Sequence, residues 1–304
     1  MSRAVAVSFV VSFVASFVAA LTSGCLSLLD NRPPPRDRAI EQVAAPTTAP
    51  LPERLRLVTY NTHGMSARIL ADALASDDLA GADVIVLQEI ERHADEPLSR
   101  ACAAARWRQL ACAYAPGHRL GDGGDLGVAI LSRAPLRDLV VLELPFIHTV
   151  LRSGRRVALA ATVDTGAGPL RVVAVHLDNR ITPAQRVRQL GPVLAHARAG
   201  GGPVVVAGDV NTSPFSWLGQ VVPVPTGRQD DHLEASVRAA GLATPVTGSG
   251  PTSAWLGMRL DAVYTRAVEV TGFGVARAVR ASDHLPLWAD LEVHAAGAAL
   301  VGAL

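Results

Sequence analysis

From about residue 55 onward the chain alternates short apolar runs with polar, glycine-bearing breaks. Continuous runs such as DVIVLQE (83–89), GVAILSR (127–133) and PVVVAGDVN (203–211) predict strands covered on both faces, whereas LWADLEV (287–293) alternates. LRLVTYN (55–61), RVALAATVD (156–164), LRVVAVHLD (170–178) and LDAVYTRAVEV (260–270) complete the strand candidates. Helical signals are fewer. Thr182-Pro183-Ala184-Gln185 is a capping box with proline at the first helical position, and it opens a helix that closes at Gly200–Gly202 with a kink predicted at Gly191-Pro192. Further helices are expected over Ser66–Asp77 and from Asp230 to a glycine cap at Gly241. Strands outnumber helices and only some are separated by them. That pattern predicts two sheets packed face to face with helices on the outer faces.

The polar residues that end the buried runs carry the chemistry. Asn61, Glu89, His176 and Asp209 each close a run, Asn211 follows Asp209, and Asp283-His284 precedes the last strand. A carboxylate at the end of a buried strand is costly unless it is paired or binds a cation. Taken singly, each has an ordinary reading: Asn61 as a turn residue, Asp209 as a cap, Glu89 as the ion-pair partner of Arg92. Together on one sheet edge they form a cluster of oxygen ligands and imidazoles.

Residues 4–21 form an uncharged apolar stretch behind Arg3, followed by Leu21-Thr22-Ser23-Gly24-Cys25. This layout predicts an export signal over residues 1–24, with Cys25 in a lipoprotein-like cleavage box and a single membrane span as the alternative. The proline-rich stretch 25–52, including Pro33-Pro34-Pro35, reads as a semi-extended tether. It leaves one domain over residues 53–304, expected to be monomeric and held in the cell envelope. Outside the cytoplasm, Cys102 and Cys112 can either close a disulfide or stay as buried thiols; spacing alone does not choose.

Composition narrows the chemistry. All 28 basic residues are arginine, which excludes lysine Schiff bases, a Walker A loop and Ser-x-x-Lys hydrolases. No Gly-x-Ser-x-Gly elbow and no zinc-type cysteine cluster are present. A net charge of +1 offers no extended basic footprint for nucleic acid. Gly121–Gly127 precedes a strand and not a helix, so it reads as a loop near the site and not as a phosphate cradle.

The set Tyr60-Asn61, Gln88-Glu89, Gly127–Arg133, Val175-His176-Leu177, Gly208-Asp209-Val210-Asn211, Arg259-Leu260-Asp261 and Ser282-Asp283-His284 resembles the endonuclease/exonuclease/phosphatase superfamily, in that family's order. The resemblance implies a four-layered α/β sandwich of two mixed sheets with helices outside, and hydrolysis of phosphate esters with Mg²⁺, or alternatively Mn²⁺. By the same match, Glu89, Asp283 and Asn61 hold the metal, and Asp209 and Asn211 orient the attacking water. Asp261 then partners His284, and His176 contacts the phosphate or protonates the leaving group. An all-oxygen ligand set suits Mg²⁺ better than zinc. Arg156 is a candidate phosphate contact, and His63 is expected at the edge of the site. Nucleic acid and phospholipid head groups are the two candidate substrates, and a non-catalytic binding module on the same fold is the contrasting reading.

Overall fold

The computed structural model describes residues 39–147, 154–218, 222–225, 230–255 and 257–294. The expected export signal, Cys25 and the first part of the tether lie outside the described residues, as do residues 295–304. No helix among the described residues is long and apolar enough to cross a membrane.

Fourteen strands and four helices are described. In chain order the strands are β1 (Glu41–Val43), β2 (Arg54–Asn61), β3 (Val84–Arg92), β4 (Ala111–Arg119), β5 (Asp125–Ser132), β6 (Leu136–Glu143) and β7 (Val157–Thr165). They continue as β8 (Gly168–His176), β9 (Val204–Asp209), β10 (Phe215–Leu218), β11 (Val222–Pro225), β12 (Asp261–Arg266), β13 (Val268–Val275) and β14 (Leu287–Val293). The helices are α1 (Ala67–Leu74), α2 (Arg100–Arg108), α3 (Pro183–Ala199) and α4 (Asp230–Ala239). One sheet runs β1-β4-β5-β3-β2-β14-β13, the other β12-β9-β8-β7-β6, and β10-β11 is a separate hairpin.

Three apolar clusters make the four layers. Leu57, Val86 and Ile130 of the first sheet meet Leu159, Val172 and Ala207 of the second in the central cluster. Val58, Ile85 and Leu131, on the opposite face of the first sheet, pack with Leu70, Leu74 and Ala105 of α1 and α2. Val173, Val175 and Val206 do the same with Leu190, Val193 and Val237 of α3 and α4. Strands buried on both faces explain the continuous apolar runs. The sandwich expected from the strand pattern is the observed fold.

Several elements depart from expectation. The run 260–270 is two strands in different sheets, broken where Ala267 takes φ +52°. Pairing partners decide this break, and no proline or glycine signals it. The capping box of α3 forms as expected, and the helix continues through Pro192. Folded structure also reaches into the proline-rich stretch assigned to the tether. Residues 41–43 pair with β4, Leu51 is buried, and the Glu41 carboxylate accepts from the Ser99 backbone and Arg92. A three-residue edge strand has too little periodicity to be read, so the expected start at residue 53 came too late. Of the expected loop over Gly121–Gly127, only the part up to Gly124 links β4 to β5, closed by Leu120 N–H donating to Gly124 O at 3.0 Å, and Asp125–Gly127 already pair in β5. Cys102 and Cys112 form a disulfide that joins α2 to β4.

Candidate active site

Two parallel pairs, β2/β3 and β8/β9, end at the same edge of the sandwich. Cavities at the carboxyl ends of parallel strands are where α/β sheets place ligands. In the second sheet, His176 is level with Asp209 across the parallel pair, and Asp209 is level with Asp261 across the antiparallel one. Register alone therefore sets three catalytic candidates in one row. Gly208 makes this possible: a Cβ there would meet Val175 O at 1.9 Å.

Glu89 reaches the site through a local irregularity. The β3–β5 register shifts between Leu87 and Ile90, and Glu89 itself takes φ +53°. The bulge turns its carboxylate toward the end of β2. Thr62 fastens this corner, donating from its amide and its hydroxyl to Gln88 O, each at 3.0 Å.

Asp209 is the hub. Asn61 Nδ2 donates to Asp209 Oδ2 at 2.9 Å and to Glu89 Oε1 at 3.2 Å. His176 Nε2 lies 3.6 Å and His284 Nε2 3.7 Å from the same Asp209 oxygen. The other oxygen, Oδ1, accepts from the Asn211 backbone at 2.9 Å, and Asn211 Nδ2 donates to Leu177 O at 2.8 Å. Burial and the neighbouring Asp261 carboxylate raise the Asp209 pKa, against the pull of His284. The His284 ring is pushed up to about 10, because Asp261 and Asp209 outweigh the cost of its burial. Its Nδ1 lies 2.9 Å from Asp261 Oδ2.

His176 behaves in the opposite way. Burial, then the charge of Arg156, lowers its pKa well below 6.5. Arg156 Nη1 is 2.9 Å from His176 Nδ1, and Arg156 Nε donates to Asp178 Oδ1 at 2.8 Å. Guanidinium only donates, so Nδ1 accepts and the ring proton sits on Nε2, facing Asp209 and Glu89. Arg156 is largely enclosed, unlike an arginine beside an exposed turn.

Glu89 and Asp283 converge on His63, whose Nδ1 lies 3.5 Å from an oxygen of each. Hydrogen bonding to Glu89 pushes His63 up to about 9. The Glu89 carboxyl is lowered: burial opposes this, but His63, His176 and Asn61 prevail. Two carboxylates thus share one place for positive charge. Among the described residues no three His, Cys, Asp or Glu side chains form a chelating group. The two carboxylates alone supply oxygen donors of the kind a hard divalent ion takes beside its waters. Asn61, the third expected ligand, directs its amide nitrogen to two carboxylates while its Oδ1 accepts from the His63 backbone at 3.0 Å.

All nine expected site residues lie at this one edge. Others went unread in the sequence. Asp178 is bound by Arg156 and by Gln189, whose Nε2 donates to Asp178 Oδ2 at 2.7 Å. Gln189 is fully buried on the inner face of α3, and a polar residue at an apolar helical position was the available signal. Thr252 Oγ1 accepts from the backbones of Leu260 and Asp261 at 2.9 and 3.2 Å, which fixes the start of β12. Only tertiary contact reveals it. Arg92 pairs with Glu41 and Asp125, not with Glu89.

Residues 58–284 match the model of the endonuclease/exonuclease/phosphatase family. The chain belongs to this family. An endonuclease/exonuclease/phosphatase from Beutenbergia cavernae is 25% identical, with a TM-score of 0.64 over 81% of this chain and 73% of that one. Sphingomyelinase C from Streptomyces griseocarneus is 19% identical, with a TM-score of 0.56 over 78% and 99%. The human nocturnin catalytic domain is also 19% identical, with a TM-score of 0.56 over 86% and 98%. The last two likenesses are of fold. No curated protein sequence matches the chain. Members of this family are phosphoesterases, nucleases and sphingomyelinases, and its fold is commonly metal-dependent.

Proposed function

We propose that this protein is a divalent-metal-dependent phosphodiesterase that hydrolyses its substrate by in-line attack of an activated water. The observation that carries the reading is the convergence of two imidazole Nε2 atoms on Asp209 Oδ2, at 3.6 and 3.7 Å. One ring is held neutral and the other charged. Groups of split protonation state around one point are what acid/base chemistry at neutral pH requires.

Glu89 and Asp283 are the residues that would hold Mg²⁺, with Asn61 supporting Glu89. A bound Mg²⁺ would polarise a phosphoryl oxygen and neutralise developing charge. Asp209, with its raised pKa, accepts the proton of the attacking water, and Asn211 fixes the Asp209 rotamer through its backbone N–H. His284, kept cationic by Asp261, stabilises the charge that develops on the phosphoryl group. His176 donates from Nε2 to a phosphate oxygen, and Arg156 enforces that tautomer. Export and anchoring through Cys25 would place this chemistry in the cell envelope.

The test is hydrolysis of bis(p-nitrophenyl) phosphate by the full chain, with Mg²⁺ and with a chelator. Chelation is expected to stop turnover and Mg²⁺ to restore it. Asp209→Asn should lower kcat by about 10²–10⁴ with unchanged thermal unfolding. Equal turnover by the Asp209→Asn variant would overturn the reading, and no turnover by the wild type would leave the non-catalytic module in its place.

A further inference from the structure

The strands that carry His176, Asp209 and Asp261 have a second row of charge at their other end. Arg137 is level with Thr162, Thr162 with Arg171, Arg171 with Val204, and Val204 with Arg266. Residues level on neighbouring strands share a face of the sheet. Arginines therefore stand on β6, β8 and β12 on one face, with one strand between each and the next. Arg171 precedes His176 by five residues and Arg266 follows Asp261 by five, which places the row about 17 Å from the catalytic one. All three arginines line a cavity of about 440 Å³ that the last turn of α3 completes with His196 and Ala197.

Their charges are not equally met. Arg137 is bound by Asp164 and by Asp138, the carboxylate of this lining. Arg171 and Arg266 meet only neutral acceptors among the described residues. Arg171 donates from Nε to His196 Nε2 at 3.1 Å, and from Nη1 to Asp138 O at 2.6 Å and Thr162 Oγ1 at 3.0 Å. The Asp138 carbonyl comes from a bulge, where the β6–β7 register shifts and Asp138 takes φ +50°. Arg266 donates once, from Nη2 to Gly202 O at 2.9 Å.

A guanidinium has five N–H donors, so Arg171 Nη2 and Arg266 Nε and Nη1 keep donors that no described residue takes up. His196 accepts at Nε2, which puts its own proton on Nδ1 as one donor more. Burial lowers the Arg171 pKa, Asp138 opposes this, and the charge of Arg137 adds to it. The carbonyl end of α3 suits one cation. A second one, and the open donors of both, exceed what the helix end requires.

Two guanidinium groups match the nearly two negative charges and the several acceptor oxygens of a phosphomonoester. Pro169, Ala197 and Pro203 give the cavity an apolar wall for the esterified group. The volume suits a small molecule. We propose that this cavity is a second binding site, apart from the catalytic edge, for a small organic phosphomonoester held between Arg171 and Arg266. It stands independently of the phosphodiesterase reading, because binding is measured without turnover.

The test is isothermal titration of the full chain with phenyl phosphate in the presence of a chelator, with benzoate as the monoanionic probe. Phenyl phosphate is expected to bind at one saturable site and benzoate more weakly. Arg171→Gln and Arg266→Gln should each weaken phenyl phosphate binding roughly tenfold or more, the scale of a lost charge-assisted hydrogen bond. Arg156→Gln, at the catalytic edge, should leave it unchanged. NMR titration of the wild type should move the His196 ring signals, a readout that depends on no variant. No binding of phenyl phosphate, benzoate bound as tightly, loss of binding confined to Arg156→Gln, or movement of His176 without His196 would overturn the proposal.

Discussion

Arg156 Nη1 lies 2.9 Å from His176 Nδ1, so a permanently charged donor sets the tautomer of a buried imidazole. Together with burial, this charge keeps the ring neutral. Removing it in Arg156→Gln should raise the His176 pKa toward 6.5, because the largest cause of its lowering after burial is gone. The acidic limb of the pH–rate profile is then expected to move to higher pH, with kcat lower by about 10²–10³. Titration of the ring by NMR in both proteins measures the shift directly; an unmoved pKa would refute the role given to Arg156.

The His284–Asp261 pair makes a prediction about stability. His284 is raised from 6.5 to about 10 in the folded chain, so folding favours its charged form. The sign follows: this contribution is fully present below pH 6.5 and drains away as pH climbs toward 10. Urea unfolding across that interval should show stability falling in the wild type and a flatter dependence in His284→Asn. In Asp261→Asn the ring loses its orienting carboxylate, and kcat is expected to drop by about 10²–10⁴.

Gly208 is predicted to tolerate no side chain. A Cβ would press within 1.9 Å of Val175 O, at the strand pair that levels His176 with Asp209. Gly208→Ala should cost about 3 kcal/mol or more in chemical denaturation. Gly191, whose Cβ would meet nothing within 4 Å, is the control and should accept alanine without loss.

Cys102 and Cys112 close a loop with a separation of ten residues. Replacing both by serine should lower stability by about 2–3 kcal/mol on the chain-entropy account. Melting with and without reductant checks this, and reductant should leave the double variant unaffected.

Strand periodicity was enough to specify the sandwich, and the polar residues that terminate the buried runs, Asn61, Glu89, His176 and Asp209, were enough to point to the edge where they meet. Local pattern carries this because burial on both faces forces continuous apolar runs, and a charge at their ends must have a partner. Other features depend on contacts between distant segments. The break at Ala267, the bulge that turns Glu89, and the strand made by residues 41–43 leave no periodic trace. Protonation was equally illegible: His176 and His284 are the same residue type at similar strand ends. One is neutral beside Arg156 and the other charged beside Asp261, because the fold gives each a different neighbour in a buried place where a single charge decides.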